Sequence, residues 1–195
     1  MKRLAIVITS HKGHTTKIAE RLAERFSLNE VQADVFNLLD LDDTSTLDLK
    51  LYDGVLVGGP IYYGEFSEQL IDFVSKNMEL LSAKSVSFFS VGLSSSCREN
   101  VRRFLSVTGL KPRQVALFEG AVSFTKSGWI GRLALSYFSK SNAIKFDRRQ
   151  DHVMTDWGLV DQLADDFLSN RMEMDRGSEM ESIPWTAFEV LNSAR

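Results

Sequence analysis

Residues 4–18, Leu4-Ala5-Ile6-Val7-Ile8-Thr9-Ser10-His11-Lys12-Gly13-His14-Thr15-Thr16-Lys17-Ile18, hold the transition that decides the fold. Leu4 to Ile8 is an unbroken apolar run rich in branched side chains, as expected of a strand covered on both faces in a parallel sheet. Beyond it Ile18, Ala19, Leu22, Ala23 and Phe26 recur on one side of a helix, with Lys17, Glu20, Arg21 and Glu24 on the other. Hydroxyl residues around one glycine separate the two patterns. A buried strand passing through such a loop into an amphipathic helix is the opening of a βαβ unit.

The alternation continues outward from there. Val31 to Leu38 reads as a strand nearer a sheet edge, followed by an acidic, Thr-rich loop from Asp40 to Asp48. Gly54 to Gly58 is a third strand, and Glu68 to Met78 a helix with Leu70, Ile71, Phe73, Val74 and Met78 as its apolar set. Ser85 to Val91 is a fourth strand and Asn100 to Ser106 a helix, closed by Gly109 and Pro112. Val115 to Phe118 begins a fifth strand. Thr155-Asp156-Trp157 opens a last helix whose apolar face is Leu159, Val160, Leu163, Ala164 and Phe167. The rhythm predicts an α/β fold on a parallel sheet.

Composition narrows the function. A chain of 195 residues with 44% hydrophobic and 25% charged residues has the material for one core. A net charge of −3 argues against broad nucleic-acid binding. One cysteine, Cys97, and three scattered histidines supply neither a disulfide framework nor a metal cluster. Met1-Lys2-Arg3 leads straight into a strand without the pattern of a signal peptide, and no apolar run spans a bilayer, so a cytoplasmic protein is expected. Two stretches depart from the rhythm. Residues 123–150 form an insertion before the last helix, with Lys126, Arg132, Lys140, Lys145, Arg148 and Arg149 against Asp147 alone. Residues 172–195 are a Glu-, Met- and Ser-rich extension to a domain of residues 1–171.

In open parallel sheets ligands sit beyond the carboxyl ends of the strands, where the strand order switches. Three loops fall there. Thr9-Ser10-His11-Lys12-Gly13-His14-Thr15 offers hydroxyls and helix-terminal amides to an anion, unless Ser10 or Thr15 simply caps the helix. It matches neither a Walker loop nor a dinucleotide fingerprint. Pro60-Ile61-Tyr62-Tyr63-Gly64, after two glycines, offers close backbone approach and flat aromatic surface. Val91-Gly92-Leu93-Ser94-Ser95-Ser96-Cys97-Arg98, after the fourth strand, is again small and polar. Together they suit a phosphorylated planar cofactor such as FMN.

Thr9-Ser10, Gly13 and Thr15 on the first turn resemble the flavodoxin phosphate loop. Within that flavodoxin-like superfamily the chain resembles the menaquinone-dependent protoporphyrinogen IX dehydrogenases, long-chain flavoenzymes of haem synthesis. The residues concerned are Tyr52-Asp53, Ile61 to Phe66, Trp129 and Arg132, Asp147 and Arg149, and Thr155-Asp156-Trp157, and the likeness covers about residues 1 to 170. It implies a five-stranded sheet of order 2-1-3-4-5 with helices on both faces and an insertion before the last helix. It implies FMN as cofactor, with Ser10, His11, Lys12, Gly13, His14 and Thr15 on the phosphate and Thr9 flanking, Pro60, Ile61, Tyr62, Tyr63 and Gly64 on one side of the isoalloxazine and Gly92, Leu93 and Ser94 on the other. It further implies oxidation of protoporphyrinogen IX to protoporphyrin IX, with electrons passed to a membrane quinone, menaquinone or ubiquinone. Trp129, Arg132, Lys140, Arg148 and Arg149 would then meet the substrate or the inner face of the cell membrane, against the plainer alternative that the insertion packs on the sheet edge. No residue stands out as a general base, and self-association is left open. An electron-carrying flavodoxin, an FMN-dependent quinone or NAD(P)H oxidoreductase of another substrate, and a flavin-free module are the competing readings.

Overall fold

A computed structural model describes residues 3–11, 13–43, 47–92, 97–122 and 152–175 of the chain. Five parallel strands, β1 (Arg3–Ile8), β2 (Gln32–Asn37), β3 (Gly54–Pro60), β4 (Ser85–Gly92) and β5 (Gln114–Glu119), pair in the order β2-β1-β3-β4-β5. The helices are α1 (His14–Ser27), α2 (Glu68–Lys76), α3 (Met78–Ser82), α4 (Cys97–Thr108) and α5 (Trp157–Asp175). The expected class, strand order and two-sided cover are all present.

The unbroken apolar runs are needed because each strand feeds two cores. Leu4, Ile6 and Ile8 of β1, Leu56 of β3 and Phe89 of β4 pack with Ile18, Leu22 and Phe26 of α1 and Val160, Leu163 and Phe167 of α5. Ala5, Val7, Val55, Val57 and Phe88 point the other way, into Leu70 and Phe73 of α2 and Val101 and Phe104 of α4. Phe88 and Phe104 stack at 4.8 Å between ring centroids, with Phe66 tilted against both. On the first face α1 and α5 run side by side. Arg21 grips Asp161 with two bonds of 2.8 Å, and one turn later Arg25 grips Asp165 at 2.8 and 2.7 Å. Equal spacing on both helices makes them parallel. At the strand starts Arg3 donates to Asp34 at 2.7 Å, Tyr52 donates to the same carboxylate at 2.9 Å, and the guanidinium lies 5.1 Å over the Tyr52 ring.

Several boundaries differ from expectation. β3 continues through Gly59 and Pro60, which pair with Ser90 and Val91, so Pro60 closes a buried strand instead of opening a loop. Proline is tolerated there because the amide it lacks falls at the strand end, and Ile61 resumes bonding to the Val91 carbonyl at 2.9 Å. The helix expected over 68–78 breaks at Asn77, whose side chain donates to the Phe73 carbonyl at 2.8 Å and closes α2. Met78 then opens α3. A further pair of two-residue strands, β6 (Ala121–Val122) and β7 (His152–Val153), was not anticipated; they are antiparallel, with Val122 opposite His152. They bring the two ends of the insertion together. The body of the insertion and residues 176–195 lie outside the described residues, while α5 carries the chain through Asp175.

Candidate functional site

β1 and β3 are neighbours, but the chain leaves them toward opposite sheet edges, so their carboxyl ends flank the crevice of the topological switch. The loop after β1 occupies one side. Asn37, the last residue of β2, clamps its backbone: its side-chain oxygen accepts from the Ser10 amide at 2.9 Å and its side-chain nitrogen donates to the Ser10 carbonyl at 3.2 Å. Thr9 bonds to the Gly58 carbonyl of β3 at 3.3 Å. Both backbones are thus committed while both side chains are not. Thr9 Oγ1 and Ser10 Oγ are buried and have no hydrogen-bond partner among the described residues. Buried hydroxyls are rarely left so without a ligand or water to take them.

The start of α1 shows the same incompleteness. Its N-cap is Gly13, at φ 81° in the left-handed region, which has no side chain to cap with, and no acidic residue stands in the first turn. Ser10 is therefore not the cap, and Thr15 lies buried inside the first turn. Of the two readings of this loop, the capping one does not describe the structure. Uncapped amides, the positive end of the helix dipole and the orphaned Ser10 hydroxyl make a fitting cradle for a phosphate, with Thr9 flanking it toward Gly59. His11 is exposed beside it, and Lys12 lies outside the described residues.

The loop after β3 forms the opposite wall. Tyr62 and Glu65 exchange two backbone bonds of 3.0 Å, and the turn between them holds Tyr63 at φ 54° and Gly64 at φ 87°. This is a type I′ hairpin, whose two central residues both need positive φ. The Tyr62 ring lies 6.3 Å from that of His11, linking the two loops, and burial pushes its phenol above the usual value, so it stays protonated. Tyr62 is 39% exposed, whereas Tyr63 is fully exposed at the hairpin tip. Gly59 permits this convergence. A β-carbon there would lie 3.0 Å from Thr9 Oγ1 and 2.9 Å from Leu70 Cδ2. On the third side Gly92 is fitted against Cys97, whose sulfur lies 2.4 Å from where a β-carbon would be. Leu93 and Ser94 lie outside the described residues, as do Trp129, Arg132, Lys140, Arg148 and Arg149.

Thr155-Asp156-Trp157 explains itself structurally. Thr155 donates to the Glu119 carbonyl and meets His14 Nε2 at 2.7 Å. Asp156 caps α5 by accepting from the Gly158 amide at 2.9 Å. Trp157 sets its ring edge-on to His14 at 6.2 Å. The triplet fastens the start of α5 to the start of α1. Burial, then the nearby Lys17, lowers the His14 pKa, so the imidazole is neutral near pH 7. Asn37 and this His14 contact were missed from sequence; an asparagine closing a strand is the one faint signal for the first. Among the described residues no group of His, Cys, Asp and Glu could hold a metal, and no helix is long and apolar enough to cross a membrane.

A family model described as a flavodoxin domain matches residues 5–148. A protoporphyrinogen IX dehydrogenase [quinone] of Leishmania major is 31% identical over 164 residues, covering 80% of this chain and 70% of that one. The protein of the same name from Escherichia coli K12 is 28% identical over 172 residues, covering 84% and 93%. The crystal structure of oxidised flavodoxin 1 from Bacillus cereus superimposes with a TM-score of 0.48 at 17% identity, over 74% of this chain and all of the other.

Proposed function

The chain belongs to the flavodoxin-domain family and, within it, to the quinone-type protoporphyrinogen IX dehydrogenases, and from that membership we propose that it binds FMN at the β1–β3 rim and oxidises protoporphyrinogen IX. It is accordingly an oxidoreductase of porphyrin synthesis. The observation that carries the cofactor assignment is the incomplete phosphate cradle: an uncapped α1 with the unpartnered Ser10 hydroxyl in the loop that leads into it.

FMN, when bound, supplies the acceptance of two electrons at a time, so three rounds convert the porphyrinogen to the porphyrin. The protein's part is to bind, orient and exclude water. The amides of His14 and Thr15, with the Ser10 hydroxyl, would hold the phosphate, with Thr9 flanking; Gly13 gives the turn its shape, and His11 and Lys12 would add donors. Ile61, Tyr62 and Gly64 border the ring on one side, with Pro60 fixing where that loop leaves the sheet. Gly92, Leu93 and Ser94 border the other. Tyr63 extends the wall outward. Because Tyr62 stays a neutral phenol, it brings no negative charge to a flavin that becomes more anionic on reduction.

The substrate carries two propionates. The cationic insertion, through Arg132, Lys140, Arg148 and Arg149, is suited to those carboxylates and to anionic lipid, with Trp129 at an interface between them. Electrons then leave to menaquinone or ubiquinone in a membrane that the protein meets from its cytoplasmic side. The test is an anaerobic assay with protoporphyrinogen IX and a quinone. Porphyrin fluorescence that needs both the yellow protein and the quinone is the expected result. A yellow protein without turnover would mark an electron carrier, and a colourless one that cannot be loaded with FMN would remove the proposal.

A further inference from the structure

The chain's excursion between β6 and β7 is fastened to two of the three cofactor loops. Val122 pairs with His152 and Ala121 with Val153, so the chain leaves and re-enters the body at neighbouring points. Just before β6, the Gly120 amide donates to the Gly92 carbonyl at 3.1 Å, tying the junction to the end of β4, where the third of those loops begins. Just after β7, the Met154 amide donates to the Gly120 carbonyl at 3.3 Å. Thr155 makes the second attachment, to His14 in the phosphate cradle.

The Thr155 hydroxyl has one hydrogen, and it is committed to the Glu119 carbonyl. The 2.7 Å contact therefore requires His14 to donate from Nε2, which fixes the tautomer and the plane of the ring. Thr155 is only 7% exposed, so water does not readily replace it. The neutral state of His14 leaves the contact a single directed bond from α1 to the junction. An anion seated on the first turn of α1 immobilises the His14 backbone. The ring, Thr155 and the end of β5 follow in sequence.

We infer that Thr155 is a positioning residue through which the filled phosphate cradle sets the geometry of the β6–β7 junction. This rests on the FMN reading of the rim. Coupling of this kind is reciprocal, so the junction supports FMN by the same factor that FMN supports the junction.

Hydrogen exchange on the full chain, with and without FMN, tests it. In the wild type, FMN slows exchange in the first turn of α1 and also, roughly fivefold or more, at residues 120–122 and 152–154. Thr155→Val keeps the side chain's shape and removes its hydroxyl. With it, FMN still protects α1 but no longer the junction, and FMN affinity falls by that same factor, about fivefold. Thr155→Ser restores both. His14→Phe breaks the same bond from the other side and reads the coupling should Thr155→Val fail to fold. Junction protection that is equal in the wild type and in a folded variant lacking the bond overturns the inference, as does a wild type that binds FMN without protecting the junction. A wild type that binds no FMN overturns the reading of the rim and takes this one with it.

Discussion

Gly59 and Gly13 are both required by the rim, but for different reasons that mutation separates. At Gly59 the obstacle is contact: an added methyl meets the Thr9 hydroxyl and Leu70. Gly59→Ala is expected to weaken FMN about tenfold while leaving the fold intact, measured by quenching of flavin fluorescence. At Gly13 the space is open, with nothing within 4 Å, and only the positive φ matters. Gly13→Ala is expected to lower stability by about 1 kcal/mol in urea unfolding, and Gly13→Asn by less, since asparagine tolerates that conformation. Tyr63 shows the reverse economy. A bulky tyrosine at φ 54° stands where this turn favours asparagine, so Tyr63→Asn is expected to stabilise the chain by about 0.5–1 kcal/mol. His14 gives the acid response of the site. Its pKa in the folded protein lies below the ordinary 6.5. Between the two values the unfolded chain binds more protons, so this contribution is whole above about 6.5 and drains as pH falls through it. Urea midpoints of the FMN-free protein between pH 8 and 5 should show that slope, and His14→Gln should remove it.

The paired helices α1 and α5 respond at a lower pH. Hydrogen bonds from Arg21 and Arg25 hold Asp161 and Asp165 below the usual carboxylate range. A depressed carboxylate contributes above its unfolded value and loses that contribution as pH falls through the folded one. Asp161→Asn with Asp165→Asn should therefore flatten the loss of stability below pH 4; being only half-buried and open to screening by water, the pairs should add little at neutral pH. The elements themselves were legible wherever burial imposes a period. β1 is apolar from Leu4 to Ile8 because both its faces are covered there, and α1 shows its buried stripe plainly. The loops after β1 and β3 were legible as irregular segments at the sheet's rim, since glycines, hydroxyls and paired tyrosines are unusual chemistry for plain turns. The end of β3 was not, because Gly58-Gly59-Pro60 reads as a turn. Gly58 is there to admit the Phe89 ring, which would lie 2.3 Å from an added β-carbon. β6 and β7 are too short to show alternation. Contacts such as Asn37 with Ser10, or His14 with Thr155, join residues far apart in the chain and leave no periodic trace.

For the whole molecule, the pairing of Val122 with His152 means residues 123–151 can be replaced by a short turn without opening the sheet. Such a variant is expected to stay folded and yellow and to lose protoporphyrinogen turnover, checked by flavin absorbance beside porphyrin fluorescence. Retained turnover would move substrate recognition back to the rim. The cluster of Arg3, Asp34 and Tyr52 lies at the opposite pole, where the strands begin. Sturdiness and chemistry are thus quartered at separate ends of one sheet. Anyone hardening this protein for use has free rein at the first pole, and a dye attached there would watch the molecule melt while staying blind to its turnover.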